Sequence, residues 1–570
     1  MTVRIPATFP KDPILVKLLQ AAQLTTEKII HDAYGFDKTY GELLADVIAT
    51  RNALLASLPP SALTPEGLLR EDCPYIAALT FGGYEFMIAF FAIRALGGAC
   101  FPLASGILPE EADYYLSASK ATAVLAGGSN MVLARKITAF VKNKGLPGFF
   151  PLQVSSNEPP IDVANVVIDD SLILDPRGPG AVLCTSGTTG IPKAAVLPRI
   201  CLVESRPPQF GEATLSYRPP HWRGGFASLI APPIEGKKLY SLKERASAEI
   251  VWEALRKYHI TNLVFNPVLL RAMKDVYIQK LNHLPIEERE AYVTGFKNLE
   301  RIRCSGTFLA PSLLQFWTDL TGLPQKNAYG STECGGGVTY TNVRKPSNVK
   351  FSCGQLSTEP PVEIKFSKGT HGEILVKSPW MLIKYIENEK ATKAAFDENG
   401  YLKTGDIGHI VGDEYVYEGR ANDDFITKVP RIPVEVAISN LPYISEAYVL
   451  RIPDHEERAV SGALIRVNDT VKREDMTIEK LHNDLSDALP AYMRPYLLRV
   501  LADDEQIPLT DSQKPLKRGM LKQFFGVTDF WNAENPTPGV QIWPMRLAMS
   551  SIPNARDVKP WDFAGWQGCL

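Results

Sequence analysis

Hydrophobic positions along the chain follow two spacings. Ile250, Val251, Ala254 and Leu255 recur at helical spacing with charged residues between them, which predicts a helix with one apolar face. ITNLVFN (260–266) follows directly and reads as a strand, as do the short apolar runs AAVL (194–197) and EILV (373–376). Helical and strand patterns take turns in this way for most of the length. That alternation predicts an α/β fold, with a large N-terminal region of several subdomains built on mixed and parallel sheets. There is no repeat of fixed period and no low-complexity tract.

The texture changes between 410 and 435. GHIVGDEYVYEGRANDDF (408–425) reads as a hairpin running into a charged bend. Strand-like AYVLRI (447–452) and ALIRV (463–467) come next. A helix should follow through Ile478, Leu481, Leu485 and Leu489, with Asp475 or Thr477 as its N-cap and Pro490 as its stop. The expected organisation is therefore an N-terminal region at 1–418, a hinge at 419–424, a small mobile α+β domain at 425–520 and an extension at 521–570. The extension holds Trp531, Trp543, Trp561 and Trp566, four of the eight tryptophans. That aromatic load predicts a segment lying on a lobe or meeting a partner.

The greasiest run, Phe86 to Leu108, is broken by Arg94, Gly97, Gly98 and Pro102, so a buried helix and strand fit it better than a membrane span. Prolines interrupt the N-terminal stretch where a signal peptide needs an unbroken apolar run, and the final WQGCL is neither a prenylation box nor a peroxisomal tripeptide. The 570 residues are 45% hydrophobic and 22% charged, with a net charge of −2, which favours neither nucleic acid nor an anionic membrane as partner. The cysteines at 73, 100, 184, 201, 304, 334, 353 and 569 form no metal or disulfide pattern, and a reducing, cytoplasmic setting is expected.

The sharpest chemistry lies in CTSGTTGIPKAAV (184–196). Glycines and small hydroxyl residues let backbone N–H groups approach phosphate oxygens, and a lysine adds positive charge. This is not a Walker loop, because Pro192 and Ala194 flank Lys193. TSGTTGIPK resembles the phosphate loop of the adenylate-forming superfamily, which holds acyl- and aryl-CoA synthetases, peptide-synthetase adenylation domains and luciferases. The family's other motifs follow in order: NAYGSTE (327–333), NGYLKTGDIG (399–408), YEGRANDDFI (417–426), LPAYMRPY (489–496) and IPLTDSQKPLKR (507–518). Residues 76–103 resemble its early helix and strand, so the resemblance covers roughly 70 to 520.

The resemblance implies a two-step reaction: a carboxylate attacks the α-phosphorus of ATP, and a thiol then attacks the acyl-adenylate. It implies that Thr185, Ser186, Gly187, Thr188, Thr189, Gly190 and Lys193 cradle the outer phosphates. Tyr329, followed by Gly330, is expected to stack on adenine, with Ser305, Gly306 and Thr307 on the opposite wall. Thr332 is expected to reach the phosphates and Glu333 to hold Mg²⁺. Asp406 should accept the ribose hydroxyls, and Arg420 should add a ribose or phosphate contact. Lys514 resembles the mobile lysine that bridges the carboxylate and the α-phosphate. His221, in RPPHWRGGF (218–226), sits where the family has a histidine beside the substrate carboxylate. Arg223 reads either as a counter-ion for a second substrate carboxylate or as a surface charge, and GGGVTYTN (335–342) should line the acid pocket.

Three departures from the family pattern fall in the C-terminal part. TKVPRIPVEV (427–436) lacks the glycine of the hairpin that helps form the pantetheine tunnel, Asn422 replaces the usual Asp or Lys, and Gln513 replaces a glycine. The expected activity is thus a Mg²⁺- and ATP-dependent acyl-CoA synthetase acting on a small carboxylic acid and CoA. Transfer to a carrier-protein phosphopantetheine or an amine, and a non-catalytic ATP-binding scaffold, are the alternatives.

Overall fold

The computed structural model describes residues 7–72, 74–185, 193–244, 246–305, 311–341, 349, 352–420, 431–454, 458–489, 493–510, 514–527 and 537–543. Two large sheets organise the residues before 420. The first has seven strands, in the spatial order Lys384–Tyr385, Lys193–Pro198, Pro179–Thr185, Ala99–Pro102, Tyr75–Leu79, Ala123–Ala126 and Phe150–Gln153. From Pro179–Thr185 to Phe150–Gln153 neighbouring strands are parallel, so both faces must be covered. Helices do this. Tyr84–Arg94 is buried at every position except Glu85 in its first turn, which is why its sequence shows no polar face.

The second sheet has nine strands. Val264–Phe265, Ile302–Ser305 and Gln325–Ser331 run parallel; Gly336–Tyr340, Ser352–Leu356, Glu414–Arg420, Leu402–Val411, His371–Lys377 and Glu363–Lys368 continue it antiparallel. A separate core of Trp252, Phe296 and Trp317 packs behind its parallel edge. The segment just before Tyr385 stitches the two sheets together, since Leu382 N–H donates to the Glu333 carbonyl and Ile383 N–H to that of Val196.

Residues beyond 431 build their own sheet. Ile444–Asp454 and Arg458–Val467 form a hairpin, Leu497–Val500 joins in parallel, and Val540–Ile542 adds the outer strand. Part of the expected tryptophan-rich extension therefore lies on this sheet. Trp543 stacks on His482 with ring centroids 3.6 Å apart. Trp531, Trp561 and Trp566 lie outside the described residues, as do Asn422, residues 427–430 and Gln513.

Three local expectations are corrected. The helix Ala248–Lys257 buries Val251, Trp252 and Leu255 but leaves Ile250 half exposed, because Ile250 falls off the stripe those three define. The strand read at 260–266 shrinks to Val264–Phe265, because Thr261 and Asn262 bond by backbone and side chain to Glu212 and Ala213 instead. The helix from Ile478 ends at Asp484; Leu485 and Leu489 stay buried but sit in turns. Its N-cap is Thr477, whose hydroxyl accepts from the Lys480 N–H. Among the described residues no helix is long and apolar enough to cross a membrane.

Candidate active site

A cavity of about 1130 Å³ opens between the two large sheets and the segment around Lys514. The nine-stranded sheet supplies one of its walls. Ser305 and Ala328 face each other across a parallel ladder, and Tyr329 and Gly330 follow on the same strand. Gly330 lies against the backbone of Gly336 and Gly337 so closely that no side chain would fit there. The chain then turns through Thr332 and Glu333, held by the Ser331 hydroxyl accepting from the Cys334 N–H.

The carboxylate of Asp406 is fixed from two sides. Asp406 and Arg420 are register partners in one hairpin, and the Arg420 guanidinium donates to Oδ1 at 2.9 Å. The Tyr329 hydroxyl donates to Oδ2 at 2.8 Å. Burial nevertheless raises the Asp406 pKa above the ordinary carboxylate value, outweighing the pull of Arg420. Burial also works to lower the pKa of Arg420, but the neighbouring carboxylates win and it is raised. Tyr329 also lines the cavity, so its ring is available to a planar ligand while its hydroxyl serves Asp406.

Lys514 reaches the same cavity from the other end of the chain. Its backbone is clamped by Thr510: the Thr510 N–H donates to the Lys514 carbonyl at 2.8 Å, and the Thr510 hydroxyl accepts from the Lys514 N–H at 3.1 Å. The side chain is exposed by surface area but looks into a walled space. The surrounding protein therefore still desolvates it, and its pKa is lowered despite the nearby Glu333 and Asp406, with Arg420 adding to the shift.

Thr185 and Lys193 close the facing ends of a ladder in the seven-stranded sheet. Ser186, Gly187, Thr188, Thr189 and Gly190 lie outside the described residues, as do Gly306 and Thr307. The Lys193 ammonium sits over the ring of Tyr385, 5.1 Å from its centroid, and the Tyr385 hydroxyl donates to Glu333 Oε1 at 3.3 Å. Tyr385 thus links the expected phosphate lysine to the expected metal carboxylate. Nothing in its local sequence marks it; only the packing of two sheets brings it there.

His221 lines the cavity next to Trp222, with ring centroids 5.4 Å apart. Arg223 lines it too. Two guanidinium nitrogens are spent on the Gly335 carbonyl, so Arg223 acts first as a brace for the glycine turn. Gly335 has a φ of +76° and its position would drive a side chain into the Trp380 carbonyl, which explains the glycine there. The cavity continues past this turn to Arg303 and Lys326, neither of which stands out in the sequence.

One carboxylate at Glu333 fits Mg²⁺ that arrives with a nucleotide. Mg²⁺ is usually bound by one or two carboxylates plus substrate phosphates and water, and no cluster of three or more potential metal ligands exists among the described residues.

The family model for AMP-binding enzymes matches residues 20–386. The acyl-CoA ligase oryP of Aspergillus oryzae is 30% identical over 530 residues, covering 90% of this chain and 93% of that protein. The malonate–CoA ligase of Arabidopsis thaliana is 24% identical, covering 77% and 76%. The fold matches the Bacillus subtilis O-succinylbenzoate coenzyme A synthetase in complex with AMP, with a TM-score of 0.66 at 22% identity over 88% of this chain and 97% of that one. It also matches the anthranilate CoA ligase AuaEII in complex with anthranoyl-AMP, with a TM-score of 0.72 at 16% identity over 90% and 97%. With the family model spanning well over half of the sequence and a relative matched nearly end to end, the chain belongs to the AMP-binding enzyme family.

Proposed function

We propose that the protein activates a small carboxylic acid with ATP and passes the acyl group to CoA. The enzyme is an AMP-forming acid–thiol ligase. In the first step a carboxylate oxygen bonds to the α-phosphorus and pyrophosphate leaves. In the second the CoA sulfur bonds to the acyl carbon, AMP leaves with the bonding pair, and the thiol proton is released. The observation that carries the assignment of residues is that Lys514, which lines the cavity, lies close enough to Glu333, Asp406 and Arg420 for all three to act on its charge.

Both reactants of the first step are anions, so the site must offset their repulsion and hold them in line. Lys514 does this between carboxylate and α-phosphate, as a long-stemmed point charge that can withdraw afterwards. Lys193 and the loop 185–190 take the outer phosphates, with Thr332 beside them. Glu333 holds Mg²⁺, which supplies further charge neutralisation on the phosphates. Tyr329 stacks on adenine against the wall of 305–307. Asp406 accepts the ribose hydroxyls, kept in place by Arg420. His221 sits beside the acid. The segment 425–520 works as a lid hinged at 419–424.

A carrier-protein phosphopantetheine or an amine is the second reading of the acceptor, motivated by the missing hairpin glycine in TKVPRIPVEV (427–436). A cytoplasmic setting accords with the free thiols of Cys100, Cys184, Cys201, Cys304, Cys334 and Cys353. Acid-dependent exchange of pyrophosphate into ATP tests the first step, and consumption of the adenylate by free CoA tests the second. Exchange that survives unchanged in Lys514→Ala removes that lysine from the mechanism. Product only with a carrier protein or an amine would replace CoA as the acceptor.

A further inference from the structure

Arg303 and Lys326 are partners across the parallel ladder between Ile302–Ser305 and Gln325–Ser331. Side chains on a strand alternate between faces, so Arg303 shares a face with Ser305, and Lys326 with Ala328 and Gly330. All five line the cavity. The same sheet surface therefore runs from the adenylation site to a pair of adjacent cations. Lys326 precedes Gly330 by four residues, a separation of about 13 Å along an extended strand.

The nearest carboxylates act on the pair only from a distance, Glu212 and Glu235 on Arg303 and Glu204 on Lys326. Among the described residues no carboxylate lies within ion-pair distance of either. Arg303 Nε is buried and has no hydrogen-bond partner among the described residues. The Lys326 ammonium instead lies over the ring of Tyr340, 4.5 Å from its centroid. The carboxylates around this end are engaged elsewhere: Glu204 with Arg206 at 2.5 Å, Glu235 with Lys237 at 3.0 Å, Glu212 with Lys237 at 2.9 Å and Glu359 with Ser205. Burial and the neighbouring Arg303 bring Lys326 down to about 8, and burial lowers Arg303. Side-by-side cations in a partly dehydrated wall are costly unless an anion joins them. An apolar tail laid over them would add to that cost.

We propose that Arg303 and Lys326 form an anion subsite for a second carboxylate of the substrate, so that the enzyme activates a dicarboxylic acid whose far end reaches this pair. The guanidinium offers a planar fork to a carboxylate and the ammonium a point charge beside it. This rests on the acid-activating reading above, and it moves the recognition of a second carboxylate away from Arg223, two of whose guanidinium nitrogens are held by Gly335.

The test uses the full chain in the pyrophosphate-exchange assay, with a homologous series of α,ω-dicarboxylic acids and the monocarboxylic acids of matched length. The expected result is that a dicarboxylic acid exceeds its matched monocarboxylic acid in kcat/KM by at least tenfold. Arg303→Met and Lys326→Met should each lower that ratio at least tenfold, chiefly through KM, and Lys326→Arg should preserve it. Exchange with monocarboxylic acids alone, or a ratio unmoved in folded variants, overturns the subsite and leaves acid activation standing. Exchange with neither series overturns acid activation itself. The wild-type panel decides the matter even where a variant fails to fold.

Discussion

The Tyr329 hydroxyl donates to Asp406 Oδ2 at 2.8 Å across 77 residues of sequence, joining the residue assigned to adenine with the residue assigned to ribose. The two side chains proposed for the nucleoside are therefore joined by a hydrogen bond, with Arg420 holding the other carboxylate oxygen. Asp406→Asn replaces a charged acceptor and leaves Arg420 facing a neutral amide. A charge-assisted hydrogen bond contributes about 1.5–3 kcal/mol, so KM for ATP should rise about 10- to 100-fold. Tyr329→Phe keeps the ring and should cost about 1 kcal/mol, roughly fivefold. Because the Asp406 pKa is raised, its carboxyl keeps a proton to a higher pH than a free carboxylate does. The acid limb of kcat/KM for ATP should then lie above the ordinary aspartate value and disappear in Asp406→Asn.

The pKa of Lys514 is lowered by desolvation in the free enzyme. Its charged form is the useful one, so adenylation should fall as pH rises through a value below the usual lysine range. That limb belongs in kcat/KM, which reports the free enzyme. Once two anionic substrates surround the ammonium, the limb in kcat should move upward. Lys514→Arg should abolish the limb, since a guanidinium stays charged. Lys514→Ala should lower kcat on the order of 10²–10³-fold, as loss of one preorganised charge donor does elsewhere. A pH profile identical in wild type and Lys514→Arg would count against this assignment.

Tyr385 is a positioning residue between Lys193 and Glu333. Tyr385→Phe keeps the ring under the ammonium and drops the hydroxyl contact with Glu333. Tyr385→Leu drops both. A cation–π contact contributes about 0.5–1 kcal/mol, so Leu should weaken ATP binding about two- to fivefold beyond Phe. Phe should instead shift the Mg²⁺ concentration needed for half-maximal exchange. Equal effects of the two substitutions on both readouts would show that Tyr385 only fills space.

The candidate site was proposed from the sequence because the residues expected in it come in short strings. Thr185, Lys193, Tyr329, Glu333, Asp406 and Lys514 each sit in a motif with a physical reason for its residue types. Thr510 shows why the spacing before Lys514 matters, since its backbone and hydroxyl clamp that lysine in place. Tyr385, Arg303 and Lys326 were not legible. Each is an unremarkable residue on a strand, and only the joining of two sheets or the pairing of neighbouring strands gives it a role. The α/β character followed from alternating patterns, whereas the end of the helix at Asp484 did not, because buried leucines in turns keep the same spacing as buried leucines in a helix.

Arg94, which interrupts the greasiest run of the sequence, is fully buried and clamps both carboxylate oxygens of Asp12. Asp12 also caps the helix Pro13–Ala22 by accepting from the Ile14 N–H. Breaking a buried pair from one side leaves a charge stranded, at a cost of about 3–5 kcal/mol. Asp12→Ala and Arg94→Ala should each lose about that much, and the double variant should lose less than their sum. Urea unfolding combined with amide exchange over 13–22 reads this directly. Full additivity would mean that the two groups do not stabilise one another.

The extension is tied to the C-terminal sheet through Trp543 and His482. Burial lowers the pKa of His482, and its Nε2 donates to the Pro495 carbonyl at 2.7 Å. The unfolded chain therefore takes up a proton on this histidine more readily than the folded one. The stability this contributes is present above about pH 6.5 and is lost as pH falls toward the lowered folded value. The stack itself adds about 0.5–1.5 kcal/mol beyond the area it buries. A chain ending at residue 536 loses both Trp543 and the strand Val540–Ile542, exposing the edge of Leu497–Val500. Its C-terminal transition in calorimetry should come at lower temperature and lose part of its dependence on pH between 5 and 7. Because Lys514 belongs to the same part of the chain, exchange should decay on heating in step with that transition. A truncated chain whose calorimetric profile matches the full one at every pH would show that the extension contributes nothing to holding Lys514 in the cavity.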